Sequence, residues 1–328
     1  MSEVKVLHRS DVPCLDILAY REKGDASGQV ERARHALEKF GFLVLERSPI
    51  DPELVKRCYA IGKEFFSLPL DKKLEIDHRS VDQKAFGDVG YYPYLTETAM
   101  NHAQADLKEF IHLGPLIDSA HPMSAHYPLN PWPSVPAEFR PLFETLFRQL
   151  TECAHLVLRL VGTVAGMDVG ALDNVVLDGK HVLRMLHYPA VEERRAAQGA
   201  MRAAPHTGIN MIGLQLPASH PGLQFCTPAG EWVVLDSELQ DYTTVNIGEI
   251  LAMIKGGGLR PTLHQVVNPQ TGADAASRWA VVFFFVPNPL KTLSVHEETS
   301  GNRRSVLAGD LLLERFRKIG TRVARTDS

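Results

Sequence analysis

The pattern that most restricts the fold begins near residue 180, where short apolar segments alternate with turn residues. Apolar runs of about four to eight residues, bounded by turn signals, indicate β-strands. Thr227-Pro228-Ala229-Gly230 has the composition of a hairpin turn between two of these segments. Many short strands separated by turns favour a barrel or a double-sheet jelly roll. The predicted strands are 181–188, 209–216, 223–226, 232–235, 243–246, 263–267 and 279–286.

The first half of the chain has mainly helical periodicity. Apolar residues recur at helical spacing over 30–40 and 136–166, and a closing helix is predicted at 307–319. Asp51 is placed as an N-cap before Pro52, and Gly41 as the residue that follows a helix end. The composition of 70–135, rich in Tyr, His and Pro, indicates loops and irregular sheet. We therefore predict a mainly β protein with flanking helices: an α-rich region (1–135) wrapped on a core (136–328) as one compact unit.

Composition and charge exclude several partner classes. The 328 residues are 45% hydrophobic and 23% charged, with a net charge of −4. Such a balance gives no reason to expect a nucleic-acid polymer or a membrane as partner. The first twelve residues lack the apolar run of a signal peptide, and the four scattered cysteines are expected to be reduced thiols. We expect a cytoplasmic protein that acts on a small molecule, with its oligomeric state left open.

Two histidines and an arginine have the order and spacing of a non-haem iron site. His206 directly precedes a predicted strand, and His264, 58 residues later, begins another. Arg278 opens the most apolar strand, where a buried arginine needs an anion. A dicarboxylate co-substrate would supply that anion in bidentate geometry. In the usual iron(II) triad a carboxylate follows the first histidine by two residues, but that position here is Gly208.

These residues belong to an ordered set of motifs that extends over most of the chain. The set resembles the isopenicillin N synthase-like family of iron(II)- and 2-oxoglutarate-dependent oxygenases. The resemblance implies a double-stranded β-helix, which is a jelly-roll, cupin-like core, with the iron at its open end. The motifs include Phe65-Phe66-Ser67-Leu68-Pro69, His187-Tyr188-Pro189, His206-Thr207-Gly208, Asn246-Ile247-Gly248-Glu249, Leu263-His264-Gln265-Val266 and Pro287-Asn288-Pro289.

The resemblance also implies roles for single residues. His206 and His264 correspond to the iron ligands of the family. Arg278 corresponds to the arginine that holds the distal carboxylate of 2-oxoglutarate, and Tyr188 to the tyrosine that donates a hydrogen bond to the same carboxylate.

Three positions depart from the family pattern. Gly208 replaces the ligand Asp, Ala280 stands where the family has a serine for 2-oxoglutarate, and Gln265 replaces a common arginine. Without a carboxylate at 208, the site lacks one ligand and one negative charge. Chloride would supply both, and related halogenases have Ala or Gly at this position. We therefore expect a halogenase that uses iron(II), 2-oxoglutarate, O2 and chloride, with Gly208 as the open halide position.

Other functions remain compatible with the sequence. The chain could be a hydroxylase or desaturase of a small metabolite, an enzyme with a third iron ligand from elsewhere, or an inactive paralogue that only binds its ligand. The halogenases it most resembles chlorinate the 2′ carbon of a deoxyadenosine nucleotide (dAMP) in antibiotic biosynthesis, so a nucleotide is the expected substrate. A nucleotide requires cations for its phosphate and a stacking surface. The candidate substrate residues are Arg184, Arg194, Arg195, Tyr91 and Tyr92, and further Arg202, His102, Lys108 and Phe110. Arg184 is expected on the same strand face as Tyr188.

Overall fold

The computed structural model describes residues 4–81, 84, 86–98, 104–190, 201–268, 276–297 and 302–318. The strands that precede the β core are β1 (Lys5–Leu7), β2 (Cys14–Asp16), β3 (Phe42–Arg47), β4 (Gly90–Tyr92) and β5 (Glu109–Leu113). The strands of the core and of a terminal hairpin are β6 (Val182–Tyr188), β7 (Ala203–His206), β8 (Ile212–Gln215), β9 (Leu223–Cys226), β10 (Trp232–Leu235), β11 (Thr243–Ile247), β12 (His264–Val266), β13 (Arg278–Phe285), β14 (Thr292–His296) and β15 (Arg303–Leu307).

Helices surround this sheet structure and connect its strands. They are α1 (Ile17–Lys23), α2 (Gln29–Lys39), α3 (Pro52–Phe66), α4 (Leu70–Lys73), α5 (Phe139–Val164), α6 (Val169–Val176), α7 (Ser237–Gln240), α8 (Glu249–Lys255) and α9 (Ala308–Lys318). Short 3₁₀ helices lie at Gly24–Ser27, Leu74–Ile76 and Pro122–Ala125. Among the described helices, none is both long and apolar enough to cross a membrane.

Two sheets enclose the interior of the core. The smaller sheet has the strand order β1-β10-β9-β12-β7, and the larger has the order β2-β3-β11-β8-β13-β6-β5-β4. Side chains from both sheets line one cavity between them, including Phe225 and His264 from the smaller sheet and Leu186 and Ala280 from the larger. The expected double-stranded β-helix is thereby confirmed.

The larger sheet has one face toward this cavity and the other toward the helices. Along β6, Leu183 and Met185 are buried in the main hydrophobic core, whereas Arg184, Leu186 and Tyr188 line the cavity. This alternation follows from the two-residue period of a strand, and it confirms that Arg184 and Tyr188 share a face. The face of the larger sheet toward the helices therefore packs in the hydrophobic core, and polar side chains lie on the face toward the cavity.

The helix α5 supplies much of the packing behind the sheet. Its apolar stripe, which includes Leu146, Leu150 and Val157, is fully buried. Burying one such side chain contributes roughly 1.5–3 kcal/mol. The same core contains Phe65 of α3 and Ala33 of α2, so residues on both sides of the predicted boundary at 135 share it.

Most of the elements that the sequence predicts lie within a few residues of their predicted bounds. Asp51 caps α3, because its carboxylate accepts a hydrogen bond from the Glu53 amide and Pro52 occupies the first turn. Strand β9 and strand β10 have the predicted bounds. The predicted strand at 209–216 begins three residues later, at Ile212, because 207–211 forms the crossing from one sheet to the other. The strand β7 that ends at His206 was not predicted.

Candidate metal and co-substrate site

His206 and His264 lie directly opposite each other on adjacent strands. Strands β7 and β12 pair antiparallel with His264 in register with His206, and the two ring centroids are 4.3 Å apart. The Nδ1 atom of His206 lies 2.7 Å from the carbonyl oxygen of Ala204, and that of His264 lies 3.0 Å from the carbonyl oxygen of Thr262. A carbonyl accepts only, so each Nδ1 donates and each Nε2 keeps its lone pair for a metal.

Both imidazoles are held in the neutral form that binds a metal. Burial lowers the pKa of His206 to about 4. Burial, with the neighbouring His206 as a smaller cause, lowers the pKa of His264 to about 3. At neutral pH neither ring carries a proton that a metal ion would have to displace. The pair therefore fits the two-histidine part of an iron(II) site.

Within the part of the chain that the structure describes, no carboxylate joins the two histidines as a third metal ligand. Among these residues no group of three His, Cys, Asp or Glu side chains is arranged to hold a metal ion. At the position where the usual ligand would stand, Gly208 offers only hydrogen. A Cβ atom built there would lie 3.0 Å from Nδ2 and 3.1 Å from Oδ1 of Asn210. The carboxamide of Asn210 thus fills part of the space next to the missing side chain.

Arg278 and Tyr188 form the other half of the site. They are opposite each other on β13 and β6, and the guanidinium carbon lies 5.3 Å from the centre of the tyrosine ring. Arg278 is 3% exposed, and its Nε donates to the His220 carbonyl oxygen at 2.9 Å. Burial lowers the pKa of Arg278, yet an arginine remains charged at neutral pH.

The charge of Arg278 has no acidic partner among the described residues. In this part of the chain, none of its contacts is an ion pair with Asp or Glu, although it lines the same cavity as His206 and His264. A buried unpaired cation is costly unless an anion joins it. The arrangement therefore fits a carboxylate of 2-oxoglutarate. Ala280, two residues on and facing the same cavity, supplies no hydroxyl for it.

Arg184 differs from Arg278 because its charge is already neutralised. Its two terminal nitrogens each donate to one oxygen of Glu97 at 2.9 Å, and its guanidinium stacks 4.2 Å from the centre of the Phe110 ring. Lys108 contacts the same Glu97 at 2.5 Å and Asp106 at 2.6 Å. The expectation that Arg184 offers a free cation to a phosphate is corrected: it lines the cavity, but within an ion-pair network.

The structure places three of the other candidate substrate residues away from a free position in the cavity. Tyr91 does not line the cavity, since it is buried against Phe65 and its hydroxyl donates to Glu109. The ring of Tyr92 is stacked between those of His78 and Phe110, with ring-centroid distances of 3.9 Å and 4.5 Å, so it packs against Phe110. Arg202 is buried and donates to the Ala276 carbonyl oxygen. Three candidates lie outside the described residues: Arg194, Arg195 and His102.

The sequence interpretation did not single out Glu97, Asp106 or Asn210. Glu97 contacts Arg184, 87 residues away, and no local pattern reports such a pairing. Asp106 accepts from the Ala204 amide at 3.3 Å, which ties the network to the strand that carries His206. For Asn210 a signal did exist, because it is a polar residue two positions after Gly208 and inside the predicted apolar strand 209–216.

Comparison with known proteins identifies the family. Residues 12–135 match the family model of the N-terminal region of the non-haem dioxygenase in morphine synthesis, and residues 179–287 match that of the 2OG-Fe(II) oxygenase superfamily. The 2-oxoglutarate-dependent dioxygenase citB of Monascus ruber is 30% identical, over 84% of this chain and 85% of its own length. The chain belongs to the iron(II)- and 2-oxoglutarate-dependent oxygenases.

One further relative and one solved structure are similar over most of the chain. Clavatol oxidase claD of Penicillium crustosum is 27% identical over 84% of this chain and 86% of its own. A full-length protein of Neurospora crassa, solved in complex with alpha-KG and thymine, superposes with a TM-score of 0.77 at 25% identity. That match covers 93% of this chain and 96% of the Neurospora chain.

These comparisons confirm the coarse expectations: a non-haem iron oxidoreductase that uses iron(II) and 2-oxoglutarate. They do not support chloride, halogenation or a dAMP substrate. The reported relatives are named as an oxidase and a dioxygenase, so the comparisons favour the oxidising alternative, a hydroxylase, over the halogenase.

The ion-pair network makes a testable contribution to stability. Burial by itself would raise the pKa of Glu97, but the charges of Arg184 and Lys108 outweigh burial and hold the pKa well below its usual value. We expect Glu97→Ala to lower the free energy of unfolding by about 3–5 kcal/mol, because the buried Arg184 loses the acid that pairs with both its terminal nitrogens, while Lys108 keeps Asp106. Urea denaturation followed by circular dichroism measures this change.

The matched control is Glu152→Ala, which removes an exposed pair with Arg21 and should cost less than about 1 kcal/mol. Because the folded-state pKa of Glu97 is depressed, its contribution is complete above the ordinary glutamate pKa. The contribution is lost as the pH falls below about 4, so the difference between wild type and Glu97→Ala should narrow there. Equal losses in the two variants would contradict a special role for Glu97.

Proposed function

We propose that this chain is an iron(II)- and 2-oxoglutarate-dependent halogenase, in which a halide takes the place of the third protein ligand. The proposal rests on the observation that Gly208 stands at the position of the third ligand, although both histidines, Arg278 and Tyr188 are present. The described residues offer no other Asp or Glu beside His206 and His264. The overall reaction would be R–H + 2-oxoglutarate + O2 + Cl⁻ + H⁺ → R–Cl + succinate + CO2 + H2O.

The residues of the chain have distinct tasks in this proposal. His206 and His264 would hold the iron through their Nε2 atoms, since both Nδ1 atoms face carbonyl oxygens. Arg278, with Tyr188 beside it, would bind the distal carboxylate of 2-oxoglutarate and fix its orientation. When bound, iron, 2-oxoglutarate and O2 supply the oxidising power to remove a hydrogen atom from an unactivated carbon.

Charge balance explains why a halide suits this site. Iron(II) contributes +2, the two imidazoles are neutral and 2-oxoglutarate contributes −2. An Asp at 208 would add a further −1 and fill a coordination position. Gly208 supplies neither, so a small anion from solution can supply both. A side chain at 208 would require the Asn210 carboxamide to shift by a few tenths of an ångström, because a Cβ atom there would lie 3.0 Å from Nδ2.

A hydroxylase of a small metabolite is the second candidate. The names of the relatives favour it, since oxidases and dioxygenases transfer oxygen or remove hydrogen without a halide. In that case water would stand where the halide is proposed. An inactive paralogue that binds its ligands without turnover is a third possibility, and it predicts no decarboxylation of 2-oxoglutarate with any substrate.

Product mass decides between these candidates. We expect the purified protein, given iron(II), 2-oxoglutarate, O2 and a substrate panel, to form a product about 34 mass units heavier in chloride (about 78 heavier in bromide) by simple replacement of hydrogen. The control reaction contains acetate in place of the halide and should form no halogenated product. An oxygenated product at equal rate with and without halide would refute the proposal and establish the hydroxylase.

Gly208→Asp should convert the site toward the ordinary oxygenase. The added carboxylate brings a ligand and a negative charge that exclude the halide, so we expect halogenated product to fall at least about 100-fold. Gly213→Ala is the control, because it also adds bulk against Asn210 (3.3 Å) but adds no carboxylate. Persistence of halogenation in Gly208→Asp would remove the basis of the proposal.

Arg278→Lys tests the proposed 2-oxoglutarate site. Lysine keeps the positive charge but loses the planar fork that holds a carboxylate through two bonds. We expect the KM for 2-oxoglutarate to rise at least about tenfold, measured by succinate formation. Arg148→Lys, at an exposed position on α5, should leave that KM unchanged. An unchanged KM in Arg278→Lys would place the co-substrate elsewhere.

The proposed substrate is a deoxyadenosine nucleotide, with the 2′ carbon as the site of chlorination. Its support is the resemblance to nucleotide halogenases, together with the similarity to the Neurospora crassa protein that was solved in complex with thymine, a nucleobase. Phe110 offers an aromatic face near the cavity, although Arg184 covers part of it. A phosphate that binds at Arg184 or Lys108 would have to exchange with Glu97.

The substrate proposal predicts that the enzyme prefers the nucleotide dAMP to its nucleoside, deoxyadenosine, because of the phosphate. We expect dAMP to be turned over with a KM at least about tenfold lower than deoxyadenosine, because charge-assisted contacts to the phosphate are lost in the nucleoside. Product formation from each compound under identical conditions measures the ratio. Equal values for the two compounds, or turnover of neither, would exclude a phosphate-directed site.

A further inference from the structure

Asn210 is a buried polar residue whose side chain has no evident structural task. It is 2% exposed, and its Oδ1 atom has no hydrogen-bond partner among the described residues. Its backbone, in contrast, is well used: the carbonyl oxygen accepts from the Ile250 amide at 3.2 Å. A buried side-chain oxygen without a partner is uncommon, and such groups usually meet a ligand or an ordered water.

The carboxamide is enclosed by three glycines. Ideal Cβ atoms at Gly208 and Gly213 would lie 3.0 Å and 3.3 Å from its Nδ2, and one at Gly248 would lie 2.1 Å from its Oδ1. The three atoms nearest to a side chain at 208 all belong to Asn210. Asn210 therefore borders the space into which the first atom of a ligand side chain at 208 would project.

The carboxamide places a hydrogen-bond donor and an acceptor at nearly equal distances from that space, with Nδ2 at 3.0 Å and Oδ1 at 3.1 Å from the ideal Cβ position at 208. Nδ2 carries two N–H groups, and a donor beside a position of missing negative charge favours an anion. The turn 206–210 also ties the two features together, because the Gly208 carbonyl accepts from the Glu249 amide at 2.9 Å and keeps the backbone in place. The position of the missing side chain at 208 thus lies next to a carboxamide that can offer a donor to an anion.

We infer that Asn210 is a halide-binding residue, whose Nδ2 donates a hydrogen bond to a monoatomic anion beside Gly208. This inference rests on the proposed halogenase function and deepens it, because it assigns a protein donor to the halide. In this inference Gly208 leaves space for the halide, and Asn210 donates the hydrogen bond that binds it. A hydrogen bond to a charged partner changes an equilibrium about 10- to 100-fold, so removal of the donor should be visible in halide affinity.

The experiment measures halide binding without turnover. Protein loaded with iron(II) and 2-oxoglutarate under anaerobic conditions is titrated with chloride and bromide, and the visible absorption of the complex is followed. We expect saturable shifts in the wild type. Asn210→Ala should raise the apparent Kd for both halides at least about tenfold, while the Kd for 2-oxoglutarate stays within about twofold. Asn210→Asp keeps the shape but adds negative charge, so it should abolish the response.

Asn246→Ala is the matched control. Asn246 is also buried, its Oδ1 also lacks a partner among the described residues, and it lies on β11 opposite Gly213. We expect its halide Kd to equal that of the wild type. Near-ultraviolet circular dichroism and iron stoichiometry verify that each variant is folded and loaded.

The outcomes separate this inference from the function on which it rests. If the wild type shows no halide response, the halogenase proposal and the inference fail together. If the wild type responds and Asn210→Ala responds with the same Kd, only the inference is overturned. An equal loss in Asn246→Ala would also overturn it, since a general packing effect would then explain the change.

Discussion

The antiparallel pairing of β7 with β12 is the constraint on which the site depends. It sets His264 opposite His206, although 58 residues separate them in the chain. The carbonyl oxygens of Ala204 and Thr262 then fix the orientation of both rings through Nδ1. Because strand geometry places the rings and the backbone orients them, two neutral nitrogens converge without any side chain to position them. The rest of the sheet pairing, through β13 and β6, adds Arg278 and Tyr188 to the same cavity.

The two arginines of the cavity wall differ in whether an acidic side chain neutralises their charge, and this difference distinguishes a structural arginine from one available to a ligand. Arg184 has both terminal nitrogens on Glu97, so its charge is neutralised within the protein. Arg278 is similarly buried, but no acid pairs with it in the described part of the chain. The first therefore stabilises the wall, and the second fits a carboxylate that comes from outside. The sequence predicts an anion for each of them, the 2-oxoglutarate carboxylate at Arg278 and a substrate phosphate at Arg184, and it does not reveal that Glu97 already pairs with Arg184.

The turn that carries Gly208 connects the family to the proposed reaction. Membership in the iron(II) and 2-oxoglutarate oxygenases accounts for the histidines and for the fold. The names of the relatives favour oxygen transfer, whereas the halogenase proposal rests on Gly208 and on the Asn210 carboxamide beside it. In the proposed halogenase a single missing side chain would exchange a protein ligand for a solvent ion, because coordination number and charge balance must both be met. Measurement of halide binding addresses this point more directly than further comparison.

Local sequence determined the elements: helix α3 with its Asp51 cap, the turn before β10, the apolar stripe of α5 and the alternation along β6. Ordered motifs also determined the class and singled out His206, His264, Arg278 and Tyr188. Only the tertiary structure decided that Tyr91 faces the core, that Glu97 neutralises Arg184, and that Asn210 borders Gly208. The physical reason is that periodicity reports which face of an element is buried. It does not report which distant residue meets that face, and pairing of charges depends on that partner.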